Sequence, residues 1–271
     1  MTVLDHDLNK KVTIRICPDH DAESPRSWDN FATMACWHRS YNLGDEGGQE
    51  YFFDVLHDAL TAIMKHRRAA SVREGYTAYD SELACPRCSH LGRYGGDNCA
   101  TCEGWGVVPN PFYLDKEDPG QALAIYQEYE HLVPYEMRLI YLPLYLYDHS
   151  GITMSTGSFG CPWDSGQVGW IFVTYREVLE SWTDWKRITP ARAEKVGDYL
   201  RAEVEVYDLY LTGNVWGFEA YEHDEDEDPE DGVFLDSCWG FYGDPDEPNE
   251  NGMAGHWPDE WLTADREVSW H

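Results

Sequence analysis

Apolar and polar residues alternate over residues 11–17 (Lys-Val-Thr-Ile-Arg-Ile-Cys), and their β-branching predicts a strand that Pro18 ends. The polar stretch 19–30, which contains Pro25, reads as loop. From residue 50 to 68 the apolar spacing becomes helical, through Phe52, Leu56, Ala59, Leu60 and Ile63. Acids open this helix, and Lys65, His66, Arg67 and Arg68 close it, which complements its dipole. Residues 120–132 repeat the pattern with Ala122, Ile125, Tyr126 and Tyr129. The aromatic and aliphatic run 137–147 suits a buried strand that Pro143 bends or places at an edge. Further strands are predicted at 151–156 and 168–175.

The longest helix comes next. Thr189 caps it, Pro190 fits its first turn, and Val196, Tyr199, Leu200, Val204, Tyr207 and Leu211 form one apolar stripe up to Gly213-Asn214. Strands at 215–221 and 232–242 follow, joined by an acidic loop, then a short terminal helix at 258–264. No repeat of fixed period is visible, and strands and helices do not alternate regularly. The pattern therefore predicts an α+β fold with a mixed or antiparallel sheet and several helices. We read residues 1–271 as a single acidic domain, with an inserted zinc-knuckle hairpin at 80–110 and an acidic loop region at 222–250.

Composition sharpens this picture. At 42% hydrophobic and 14% aromatic over 271 residues, the chain can bury a core, so disorder throughout is excluded. Fifty Asp and Glu against 20 Lys and Arg give a net charge of −30, which opposes binding to nucleic acid or to an anionic membrane. No apolar run approaches the ~18 residues of a membrane span. The first residues show neither the basic nor the apolar region of a secretory signal, so a soluble cytoplasmic protein is expected. The charge is skewed. Residues 202–271 hold 21 acidic side chains and one basic one, Arg266, for a net of −20. A halophile's solvation shell would be spread over the whole surface.

The strongest chemical motif is Cys85-Pro-Arg-Cys88, ten residues, then Cys99-Ala-Thr-Cys102. Each Cys-x-x-Cys turn presents two thiolates, and four of them suit one structural Zn²⁺ held in a tetrahedron. The Gly-rich segment between the pairs fits a hairpin joining two knuckles. Structural disulfides do not suit a cytoplasmic chain, and two pairs this close favour zinc over thioredoxin-like redox chemistry. Four thiolates leave no open position for catalysis. His90 is a substitute ligand that four cysteines make unnecessary, and Cys17, Cys36, Cys161 and Cys238 read as ordinary buried thiols. The run Cys-x-x-Cys-x-Gly-x-Gly over 99–106 resembles half of the zinc-binding repeat of the DnaJ chaperone family. It covers less than a tenth of the chain, without the J domain, so chaperone activity does not carry over.

The acidic stretch 222–231 invites a calcium reading, since Asp224, Asp226 and Asp228 match the first three EF-hand positions. Pro229 stands where glycine is required and Leu235 where glutamate is, so an EF-hand is rejected. Two readings remain: a solvated loop, or a surface for a basic partner that normally holds DNA. About 30 charges correspond to ~50 Å of duplex, close to the ~50 Å diameter of a compact chain of this length. Candidate contact residues are Asp224, Glu225, Asp226, Glu227, Asp228, Glu230 and Asp231.

Enzyme signatures are sparse: G-x-G-x-x-G, the Walker A pattern, H-E-x-x-H and G-x-S-x-G do not occur. Two polar-aromatic patches offer thiols, imidazoles and carboxylates. One joins 24–30 with 36–39, including His38; the other joins 148–151, including His149, with 161–165, including Cys161. Their bland reading is hydrogen-bonded turns and structural tryptophans. These same segments carry a wider resemblance. Residues 24–30 (Ser-Pro-Arg-Ser-Trp-Asp-Asn), 37–45, 142–154, 161–169, 210–218 and 236–243 (Asp-Ser-Cys-Trp-Gly-Phe-Tyr-Gly) resemble a group of acidic proteins encoded by bacteriophages and other mobile elements. The zinc segment looks like an insertion within that group. The resemblance implies a host bacterial cytoplasm as the setting and supplies no mechanism. By analogy of charge and origin, the expected function is inhibition of a host DNA-binding or defence nuclease complex through a DNA-mimicking surface. The alternatives are an enzyme built on the two patches, or a phage structural or assembly protein.

Overall fold

The structure is a computed structural model and describes residues 10–66 and 75–268. It is α+β, as the mixed periodicity predicts, and it divides into two compact units, each assembled from separated stretches of chain.

The first unit comprises Met1–Asn30, Tyr145–Gln167 and Arg201–His271. The alternating N-terminal segment forms β1 (Lys10–Pro18), which pairs antiparallel with β10 (Val215–Asp224), so that Ile14 faces Ala220 and Ile16 faces Phe218. β10 continues as a hairpin into β11 (Val233–Tyr242). On its other side β1 takes β12 (Asp265–Val268) in parallel, giving the order β11-β10-β1-β12. Alternation sends Ile14, Ile16, Trp216, Phe218 and Ala220 to one face, where Phe241, Met253, Trp257 and Trp261 close a core. The predicted terminal helix is a single 3₁₀ segment, Asp259–Thr263, and it sets Trp261 into that core.

The second unit comprises Phe31–Leu144 and Val168–Leu200. Its main helices are α1 (Gly48–His66) and α2 (Pro119–Tyr129), the latter capped by Asp118, which accepts the Gln121 N–H. Their apolar stripes meet around Phe52, Leu56, Leu60, Ile63, Leu114 and Tyr126, all buried. The Tyr126 hydroxyl accepts the Leu139 N–H at 2.9 Å, which ties α2 to the start of β7 (Leu139–Asp148).

Within the first unit β8 (Ile152–Ser155) pairs antiparallel with the end of β7, and within the second β2 (Thr33–Cys36) pairs antiparallel with Gly169–Phe172 of β9 (Ser165–Thr174). β8 pairs only with Tyr145–Asp148, which leaves Pro143 on a stretch that β8 does not reach. The predicted strand through 175 stops one residue early. Thr174 and Glu177 form a capping box that starts α3 (Tyr175–Ser181). Helix α4 (Pro190–Leu211) begins as predicted, with Thr189 accepting from Arg192 and Ala193.

Candidate metal centre and acidic surface

The cysteine segment folds as two copies of one turn. β3 (Glu82–Ala84) and β6 (Val107–Pro109) pair at its base, and the short hairpin β4 (Arg93–Tyr94) and β5 (Asp97–Asn98) joins the two turns. The Cys99 N–H donates to the Gly92 carbonyl (2.8 Å), and the Cys85 N–H to the Gly106 carbonyl (3.0 Å). Within each turn Leu91 N–H donates to Cys88 and Trp105 N–H to Cys102. Residues at matching places share a left-handed backbone: Ser89 (φ 45°) with Glu103 (50°), His90 (70°) with Gly104 (95°), and Gly92 (66°) with Gly106 (80°). The turns also press together. A Cβ on Gly92 would collide with the Gly104 carbonyl oxygen, and one on Gly106 would lie 2.5 Å from the His90 oxygen.

All four thiols are buried, and their sulfurs lie within 4.8 Å of one another. Cys85 and Cys99 are 3.8 Å apart, and Cys88 and Cys102 are 3.6 Å apart. A disulfide needs about 2.05 Å. A tetrahedron of ~2.3 Å metal–sulfur bonds has edges near 3.8 Å. The spacing fits shared ligation of a metal ion and does not fit disulfides. Burial and the Cys102 and Cys85 thiols push Cys88 up to about 12. Burial raises Cys99 as well, but the N–H groups of Thr101 and Cys102, together with the Cys85 and Cys102 thiols, outweigh it and bring that thiol down to about 6. The Gly106 N–H donates to the Cys102 sulfur at 3.2 Å. Such donors stabilise thiolates, the form that binds metal. Three non-glycine residues held left-handed (Ser89, His90, Glu103) cost roughly 1–2 kcal/mol each, and ligation of the flanking cysteines would hold them there.

The acidic segment is the tip of the β10–β11 hairpin. Asp224, Glu225, Asp226, Glu227, Asp228, Glu230 and Asp231 are all exposed. Asp228 caps a 3₁₀ turn, Pro229–Asp231, by accepting the Glu230 N–H, and Glu227 accepts the Asp224 N–H. Cations from β1 fasten this tip to the sheet. Lys10 meets Glu222 at 2.9 Å, Lys11 meets Glu225 at 3.5 Å, and Arg15 contacts Glu230 with Glu267 at 4.0 Å. Beneath it, Thr13 and His223 share a buried hydrogen bond of 2.8 Å. Sequence reading did not anticipate this arrangement, because the cations lie more than 200 residues from their partners. The unit containing the hairpin carries 29 acidic and 6 basic side chains, a net of −23, and the other unit a net of −7. Repulsion shows again at Glu247, where a hydrogen bond with Glu250, together with the charges of Glu250, Asp244 and Asp246, raises the carboxyl above its ordinary 4.5.

The polar-aromatic patches serve as turns. Ser24 caps the 3₁₀ turn Pro25–Ser27, Asn30 donates to the Pro25 carbonyl, and Trp28 meets Tyr242 edge to face. Arg26 is buried and binds Glu203 at 2.8 Å. His38 stacks on Tyr41, and its Nδ1 accepts from Ser40 and Tyr41. In the second patch Asp164 stands between Cys161 (3.4 Å) and His149 (3.6 Å). The carboxylate, and not the imidazole, is therefore the thiol's partner. Among the described residues, no helix is long and apolar enough to cross a membrane. In comparisons with protein-family models, curated proteins and solved structures, the chain matches none.

Proposed function

We propose that the protein is a non-catalytic binder of a basic partner, which it engages through the acidic face of the first unit, with a structural Zn²⁺ in the second. The observation that carries this reading is the skew of charge between the units, −23 against −7, together with seven exposed acids on one fastened hairpin tip. Lys10, Lys11 and Arg15 already face Glu222, Glu225 and Glu230, so Asp224, Asp226, Glu227, Asp228 and Asp231 are the acids offered to a partner. Five charges equal roughly 8.5 Å of duplex. The tip alone therefore imitates a short run of phosphates, and the rest of the unit must supply any longer mimicry. In its finer form the partner is a host DNA-binding or defence nuclease complex in the bacterial cytoplasm, the setting that the phage resemblance implies. Zinc is the metal that four thiolates in a closed tetrahedron suit best.

The test is quantitative capture of candidate basic proteins with the full chain at increasing salt. Binding should weaken steeply as salt rises. Replacing Asp224, Asp226, Glu227, Asp228 and Asp231 by their amides should abolish it without lowering the melting temperature. An affinity that survives this replacement would remove the acidic tip from the interface.

A further inference from the structure

The hairpin that carries the acidic tip also ends the sheet. β11 is the outermost strand in the order β11-β10-β1-β12, and among the described residues its outer side has no strand partner. It runs for ten residues, and Val233 (56%), Phe234 (53%), Leu235 (38%) and Trp239 (44%) are exposed along it. The Trp239 ring lies against Gly217 of β10, where any Cβ would strike it.

Sheet edges are normally protected by being short or by carrying lysine or proline. The opposite edge, β12, follows that rule, with four residues that read Asp-Arg-Glu-Val. β11 follows it only in part: it is long, apolar and free of lysine and proline, its one charge is Asp236, and its protection is limited to two bulges against β10, between Phe234 and Asp236 and between Cys238 and Phe241. Between the bulges Asp236, Ser237 and Cys238 pair in regular register with β10, so alternate backbone N–H and C=O groups there face outward.

We infer that the free edge of β11 accepts an extended, basic segment of a partner protein as a fifth strand of this sheet. The inference rests on the proposed acidic binding surface and deepens it by naming the form the partner takes. Charge complementarity selects the occupant. Asp231, Asp236, Asp244 and Asp246 lie along β11 and just past its ends, inside a unit of net charge −23. A second copy would set like charges opposite one another, which is unfavourable across a strand pair. A strand that alternates Lys or Arg with β-branched residues places cations against those aspartates and lays its apolar side chains beside Phe234 and Trp239. Main-chain hydrogen bonds then supply affinity, and alternate side chains supply selectivity.

The experiment uses the full-length, metal-loaded chain and an eight-residue peptide that alternates lysine and valine. Controls are the same peptide N-methylated on alternate backbone amides, which keeps the charge and removes the donors, and a glutamate version. Hydrogen exchange of the outward-facing β11 amides should slow on adding the lysine peptide at about 20 mM salt, where screening is weak. Methylation should weaken binding by about tenfold or more, the equivalent of 1.4 kcal/mol. Asp236→Asn and Phe234→Ser, both at exposed side chains, should weaken it as well, and the glutamate peptide should not bind. Equal binding of the methylated and unmethylated peptides overturns the edge inference and leaves the acidic surface standing. Failure of both lysine peptides to bind overturns both. Protection of the outward-facing β11 amides in the free protein, or dimerisation through them, overturns the inference in favour of an edge already covered.

Discussion

At Gly106 a methyl group would sit 2.5 Å from the His90 carbonyl oxygen, and the residue's φ of 80° already lies in the left-handed region. G106A therefore has to move one knuckle against the other and pull Cys102 away from Cys88. We expect metal affinity to fall by about tenfold or more, since the left-handed cost alone is ~1–2 kcal/mol for a residue with a Cβ. At the matching place in the first turn, His90 holds φ 70° where the second turn has Gly104. H90G loses the Tyr76 contact at 3.0 Å but relieves that strain, so it should bind metal at least as well as the parent. Competition with a chromophoric zinc chelator measures both variants. If G106A binds like the parent, the paired-turn account fails. Much of this was legible beforehand, because Cys-x-x-Cys spacing and the glycines after Cys102 mark a ligand turn. The left-handed Ser89 and Glu103 were not, since neither residue type announces that conformation.

Elements whose pattern is local matched their sequence signals, and elements created by distant partners did not. α4 runs from its Thr189 cap to Leu211 because cap, proline and apolar stripe agree over two dozen residues. β12 reads as three charged residues and a valine and becomes a strand only because β1 lies beside it, with Ile14 opposite Arg266. α3 had a signal in Thr174 and Glu177, but the apolar run ahead of it masks the change of period at Tyr175. The loop 19–30 is polar in sequence, and its Arg26 side chain nevertheless sinks to 3% exposure against Glu203 of α4. Removing one partner of a buried pair strands the other's charge. R26A should therefore lower the unfolding free energy by ~3 kcal/mol, while the double replacement of Arg26 and Glu203 by methionine should recover part of the loss. Urea unfolding in the presence of zinc reads both. Equal losses in the single and double variants would show that packing alone, without the charge pair, holds the turn to α4.

For the molecule as a whole, a charge of −30 is a cost to the folded state as well as a means of recognition. The carboxyl of Glu247 registers that cost locally: its hydrogen bond with Glu250 and the surrounding acids raise it above 4.5, so the folded chain holds more protons than the unfolded one just above that pH. Stability from this group is present at low pH and is lost as pH rises through the raised value. At neutral pH these carboxylates repel, and the repulsion is concentrated in the unit of net charge −23. Added salt shortens the Debye length from ~30 Å at 0.01 M to ~10 Å at 0.1 M and screens that repulsion. The same ions should thus raise the melting temperature while weakening attachment to a basic partner. Calorimetry of the zinc-loaded chain at pH 7 between these two salt concentrations is expected to show an upward shift of several degrees, about 1–2 kcal/mol for a chain of this size. Replacing Glu247 by glutamine should reduce the shift, because it removes one of the charges being screened. A melting temperature that falls with salt would mean that the cation contacts of Lys10, Lys11 and Arg15 outweigh the repulsion. The acidic tip would then be a self-neutralised element of the fold and no longer a surface held ready for a partner.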